Sequence, residues 1–197
     1  MKKTLLACFV ASVLLFSCDS EKDPFAIGEG SIGNLDKTIQ MKEVDSIFAT
    51  DSIVKLNPIE NALGTQGEVE IYDTDGNKLL LLSPEDENDP NATITNVQVF
   101  DSRYKTEKGL NSASTFKDVK TNYTVSKVET TINSVVVFLK DSEIYLTIDK
   151  KELPENLRYN PNAKIETSQI PDDAKFKYFM IGWEPEATPE ENPSEKE

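Results

Sequence analysis

The chain has 197 residues, with 35 Asp and Glu against 21 Lys and Arg, for a formal net charge of −14. That sign argues against binding nucleic acid or anionic headgroups through bulk electrostatics. There is no His, and the only cysteines are Cys8 and Cys18. Ser-His-Asp and Cys-His catalysis, His-based zinc, His-ligated haem and iron–sulfur clusters are therefore excluded. What remains open to an enzyme is a carboxylate pair, Ser-Lys, Tyr, or a hard metal held by oxygens.

Lys2 and Lys3 open the chain, and residues 5–16 follow as a short apolar run. At about a dozen residues, this run suits the helical core of a signal peptide and is short for a membrane span. It ends Leu15-Phe16-Ser17-Cys18. An apolar residue three before Cys and a small one just before it resemble the bacterial lipoprotein signal. Phe16 is bulkier than usual at its place, as Bacteroidetes-type lipoproteins tolerate. The resemblance implies cleavage before Cys18, with diacylglyceryl and palmitate-type acyl chains on Cys18. The membrane is then the partner, reached through lipid; two or three chains anchor stably where one does not. Residues 1–17 would leave as signal peptide, taking two basic residues and Cys8 with them. With Cys18 consumed by lipid, no disulfide is possible. The alternative is an ordinary secretory signal with a chance Cys.

Asp19-Ser20-Glu21-Lys22-Asp23 follows. It looks like the acidic export signal of surface-displayed Bacteroidetes lipoproteins, which leaves surface display and a periplasmic face of the outer membrane both open. Residues 18–33, with Pro24, Gly28, Gly30 and Gly33, read as a polar tether. Residues 34–183 read as one domain. Residues 184–197, rich in Pro and Glu, read as a disordered acidic tail.

Within the domain, Met41, Val44 and Phe48 have helical spacing over residues 39–48, and residues 52–56 suit a short strand. Residues 68–72 alternate polar and apolar. Asp75-Gly76 then precedes residues 78–82, which predicts a hairpin with a primed turn. An acidic loop over 83–92 leads to a strand over 93–100, and residues 115–123 suit a second helix capped by Ser114 or Thr115. Residues 125–132, 134–139 and 143–148 read as three strands joined by tight turns. Residues 175–183, apolar on both faces, read as a central strand. The expected fold is α+β: a mainly antiparallel sheet of seven or eight strands, one or two short helices, and a signal-peptide helix ahead of it.

Three constellations could carry chemistry. Asp73-Thr74-Asp75-Gly76-Asn77 begins like an EF-hand loop, but Lys78 and Pro84 occupy the places of its Gly and bidentate Glu. Asp73 and Asp75 therefore stand as a weak metal site against a plain hairpin turn. Arg103, Lys105, Lys108, Lys117 and Lys120, with Lys127, face only Glu107 and Asp118 in their stretch. They are a candidate anion site, against the alternative that each pairs with nearby carboxylates. Phe176, Tyr178, Phe179 and Trp183 could stack a sugar, against the alternative that they are core.

Arg103-Tyr104-Lys105-Thr106-Glu107-Lys108-Gly109-Leu110, followed by Ser114-Thr115-Phe116-Lys117-Asp118-Val119, resembles a stretch in bacterial lipoproteins of unknown function. Over roughly residues 30–183 the chain is similar to flavobacterial members of that group, with no catalytic motif to carry over. The resemblance implies a lipid-anchored envelope protein with no cofactor and a non-catalytic binding or structural role. Any further protein or glycan partner is left unspecified. The alternatives are a carboxylate- or metal-dependent enzyme such as a glycan hydrolase, and a calcium-dependent glycan binder.

Overall fold

The computed structural model describes residues 23–56, 67–87, 89, 91–159 and 164–183. The expected signal-peptide helix and acidic tail lie outside these residues. The strands are β1 (Ala26–Gly28), β2 (Ser31–Ile32), β3 (Leu35–Asp36), β4 (Ser52–Lys55), β5 (Val69–Tyr72), β6 (Lys78–Pro84), β7 (Ile94–Val99), β8 (Lys105–Thr106), β9 (Val125–Thr130), β10 (Ser134–Leu139), β11 (Ile144–Asp149) and β12 (Tyr178–Gly182). The helices are α1 (Val44–Ile47), extending a 3₁₀ turn at Met41–Glu43, α2 (Phe116–Asn122) and α3 (Glu155–Arg158).

The main sheet has eight strands in the order β4-β5-β6-β7-β12-β11-β10-β9, and every pairing in it is antiparallel. β12 is central, between β7 and β11, as its two-sided apolar pattern requires. It is shorter than the stretch 175–183 suggested. Its alternation sends Phe179 and Ile181 inward and leaves Tyr178 on the open face. The same period buries Val69 and Ile71, Leu80 and Leu82, Val97 and Val99, and Val135 and Val137 on one side of the sheet. The fold is therefore mainly antiparallel β with a few short helices.

Onto that buried face pack α1, α2 and a second, four-stranded sheet of order β3-β2-β1-β8. α2 starts where Thr115 donates its N–H to the Asp118 carboxylate at 2.8 Å, and it buries Phe116 and Val119. The edge strand β4 carries Lys55, paired with Asp45 at 2.9 Å. The opposite edge, β9, carries the Lys127–Glu129 pair. Charged edges of this kind discourage pairing with another chain.

The small sheet corrects the expectation of a tether over residues 18–33 for its described part, residues 23–33. Ile27, Ile32 and Leu35 are 7%, 1% and 0% exposed and belong to the main core. Each contributes on the order of 1.5–3 kcal/mol by leaving water, which sets these residues in the domain. Gly33 makes the tight turn possible. It has φ +55, and a Cβ there would lie 2.3 Å from the Pro24 carbonyl oxygen. The glycines read as signs of looseness are here signs of close approach.

The expected primed turn is also corrected. Gly76 has positive φ and Asp75 does not. The Gly76 N–H bonds the Asp73 carbonyl at 3.0 Å, and the strand register shifts beyond Ile71. This is an ordinary turn with a left-handed glycine followed by a bulge.

Candidate functional site

A cleft of about 770 Å³ opens at one end of the main sheet. It lies where the β10–β11 turn, the β1–β2 turn and the end of α2 meet, and Glu143, Lys140, Lys108, Tyr123, Thr106 and Glu107 line it. A neighbouring opening of 520 Å³ shares Ser142, Glu143 and Ile144 with it and adds Phe138, Tyr145 and Trp183. Glu143 stands where the two adjoin.

The Glu143 carboxylate is a bracket. One oxygen, Oε2, accepts the Gly30 backbone N–H at 2.8 Å and the Trp183 Nε1–H at 3.1 Å. The Glu143 backbone oxygen accepts the Gly182 N–H at 2.9 Å. One residue therefore ties the small sheet, the end of β12 and the β10–β11 turn together. The turn itself holds Asp141 at φ 52, a conformation that Asp tolerates better than most residues.

Around this bracket, Tyr145 donates its hydroxyl to Asn96 Oδ1 at 2.8 Å, and burial pushes its pKa up. Its ring stacks on Phe138 at 5.7 Å. Tyr123 and Thr106 share a hydroxyl hydrogen bond at 2.7 Å. Lys108 donates to the Asn122 carbonyl at 2.9 Å and sits 4.8 Å from the Tyr123 ring centre. The lining is thus an aromatic and polar surface bearing both signs of charge. Such a surface can hold a polar ligand by stacking and hydrogen bonds.

The residues singled out from the sequence are mostly elsewhere. Arg103 is taken up by carboxylates: its Nη2 lies 2.7 Å from Asp101 and 2.8 Å from Asp73. Its guanidinium also lies 4.6 Å from the Phe25 ring centre. The Asp101 bond, more than any other interaction, holds Arg103 above its ordinary pKa, and Arg103 holds Asp101 below its own. Lys120 pairs with Asp172 at 2.6 Å. Lys117 is exposed on α2, and Lys105 is exposed on β8. Only Lys108 of these five lines the cleft. The basic stretch therefore forms no single anion site, and local pairing accounts for Arg103 and Lys120.

Asp73 is no free ligand either. Its Oδ1 accepts the Asp75 N–H at 3.1 Å and the Asn77 N–H at 2.9 Å, while Oδ2 accepts Arg103. The backbone bond from Asn77 contributes most to holding its carboxyl below the usual range. Asp75 lies exposed at the turn. Among the described residues, no three acidic side chains gather as they would around a metal.

The aromatic platform is likewise not formed. Phe179 and Trp183 are 1% and 3% exposed, Phe176 packs on the core, and Tyr178 faces outward under Lys177.

Sequence reasoning missed Glu143, Lys140, Tyr123 and Tyr145 as a group. Glu143 was visible only as the first residue of a strand after the tight turn Lys140-Asp141-Ser142. Its partners Gly30 and Trp183 lie 113 and 40 residues away, a convergence that only the fold creates.

Fold and cleft together define a mainly antiparallel β-domain with an open polar cleft at one end of its sheet. No family model and no curated protein matches the chain. Among solved structures, the uncharacterized protein yfeY from Escherichia coli is similar to it with a TM-score of 0.50. The match covers 78% of this chain and 97% of that one at 14% identity. A likeness at this identity concerns the fold alone.

Proposed function

We propose that this is a lipid-anchored protein of the cell envelope, of the Bacteroidetes lipoprotein type. Its domain binds a ligand or partner, or supports an assembly, without catalysing a reaction. The observation that carries the anchor is Leu15-Phe16-Ser17-Cys18, placed just ahead of Phe25, which packs on Tyr104. Lipid on Cys18 fits a protein in which no described helix is long and apolar enough to cross a membrane. The outer membrane is the site this reading favours, with either face open.

What supports the non-catalytic part is the use of Glu143 as a structural acceptor: its Oε2 takes the Gly30 N–H and the Trp183 Nε1–H. One observation favours the competing hydrolase: Glu29, Glu107, Asp141 and Glu143 all line the same cleft. A glycoside hydrolase places two carboxyls across such an opening.

Two measurements separate these readings. Cys18→Ala should move the protein from the membrane fraction to the soluble fraction; continued membrane retention would refute the anchor. Incubation with envelope polysaccharides should release no reducing ends. Release that disappears in Glu107→Gln or Glu143→Gln would establish the hydrolase instead.

A further inference from the structure

Strand register defines two ends of the main sheet. At the first, Asn96 pairs with Gly182, Gly182 bonds Glu143, and the cleft opens. At the second, Tyr178 pairs with Thr147, the Phe100 N–H bonds the Leu79 carbonyl, and Asp73 bonds Arg103. β1 runs from the second end towards the first, parallel to β8. At its start, Phe25 packs edge-on against Tyr104 at 5.0 Å and lies against Arg103. Beyond its finish, Gly30 reaches Glu143.

The first described residues, Asp23 and Pro24, are therefore at the second end. They form a turn there, with Asp23 Oδ1 accepting the Phe25 N–H at 2.9 Å and the Asp23 carbonyl accepting the Ala26 N–H at 3.1 Å, and the packing of Phe25 on Tyr104 holds that turn at this end. Five peptide steps separate Cys18 from Asp23, a reach of at most about 18 Å. The strand β11, which runs between the two ends, is about 20 Å long at ~3.3 Å per residue.

We infer that the cleft opens away from the bilayer that carries the anchor, and that its ligand is a polar molecule met on the aqueous side, not a lipid of the anchoring leaflet. This rests on lipid being attached at Cys18. With a link of at most about 18 Å, the Asp73–Arg103 end is the end nearer the membrane, and the cleft lies a sheet's length beyond it. The lining agrees with a polar ligand, since Lys108, Lys140, Glu29 and Glu107 share it with Thr106 and Ser142.

The test uses the full lipidated protein in phosphatidylcholine vesicles carrying nitroxide on the headgroup. Single cysteines at Asp75→Cys, near the anchored end, and Lys140→Cys, at the cleft, take a fluorophore. The lipid on Cys18 leaves that sulfur unreactive. Quenching at position 75 should exceed that at position 140 by roughly twofold or more, because headgroup quenching acts over distances shorter than the ~20 Å sheet. Aqueous iodide should quench the label at 140 as well on vesicles as in the same lipidated protein dissolved in detergent. Equal or greater nitroxide quenching at 140 on vesicle-bound protein overturns the orientation alone. Protein that fails to float with vesicles, with Cys18 itself taking the label, overturns the anchor and the orientation with it.

Discussion

Gly33 and Gly76 both have positive φ, yet their surroundings differ. A Cβ at Gly76 meets nothing within 4 Å, whereas one at Gly33 meets the Pro24 carbonyl oxygen at 2.3 Å. Gly76→Ala should cost about 1 kcal/mol, the penalty of left-handed backbone alone. Gly33→Ala should cost about 1–3 kcal/mol, since the chain must also shift. Urea unfolding of the two variants measures the difference, and equal costs would deny that residues 24–33 are packed into the domain. Tyr104 gives a pH signature. Burial first, then the charges of Asp51 and Asp101, push its phenol up to about 12 from 10.0. The folded state keeps the proton after the unfolded state has released it. Stability from this residue is thus present below pH ~10 and is lost as pH rises towards ~12, by an amount on the order of 2–3 kcal/mol. Tyr104→Phe should flatten that alkaline fall in unfolding midpoint. An unchanged slope would mean that the phenol is hydrated in the native state.

At the scale of elements, the Glu143 bracket joins the small sheet to the end of β12. Trp183 is the only tryptophan and is 3% exposed, so its fluorescence reports on the bracket directly. Glu143→Ala should shift its emission to the red and lower the unfolding midpoint, because two donors lose a charged acceptor. Glu143→Gln, which keeps an acceptor oxygen, should largely restore both. The long elements were legible in the sequence because each carried its own period. Glu70 and Tyr72 alternate with Val69 and Ile71, and Ile144, Leu146 and Ile148 share one face of β11. The small sheet was not legible. β2 and β3 have two residues each, too few to display a period, and their glycines imitate a linker. The cleft was illegible for a related reason: Lys108, Glu143 and Gly30 belong to three separate turns that only the fold assembles. In the basic stretch the pairing alternative holds for Arg103 and Lys120: Arg103 takes Asp101 beside it and Asp73 across the fold, and Lys120 takes Asp172.

For the whole molecule, the proposal that Cys18 carries lipid makes the β-domain a device for presenting the cleft at the far end of its sheet away from a membrane. The acidic net charge of the full chain, −14, suits this arrangement, because it offers no bulk attraction to anionic lipid. Everything at this scale depends on the sulfur of Cys18. Intact-mass and N-terminal peptide mass spectrometry of the protein extracted from membranes tests it most directly. The account predicts a chain that begins at Cys18 and carries a diacylglyceryl thioether. A chain that retains residues 1–17, or that begins elsewhere with a free thiol at Cys18, would contradict it.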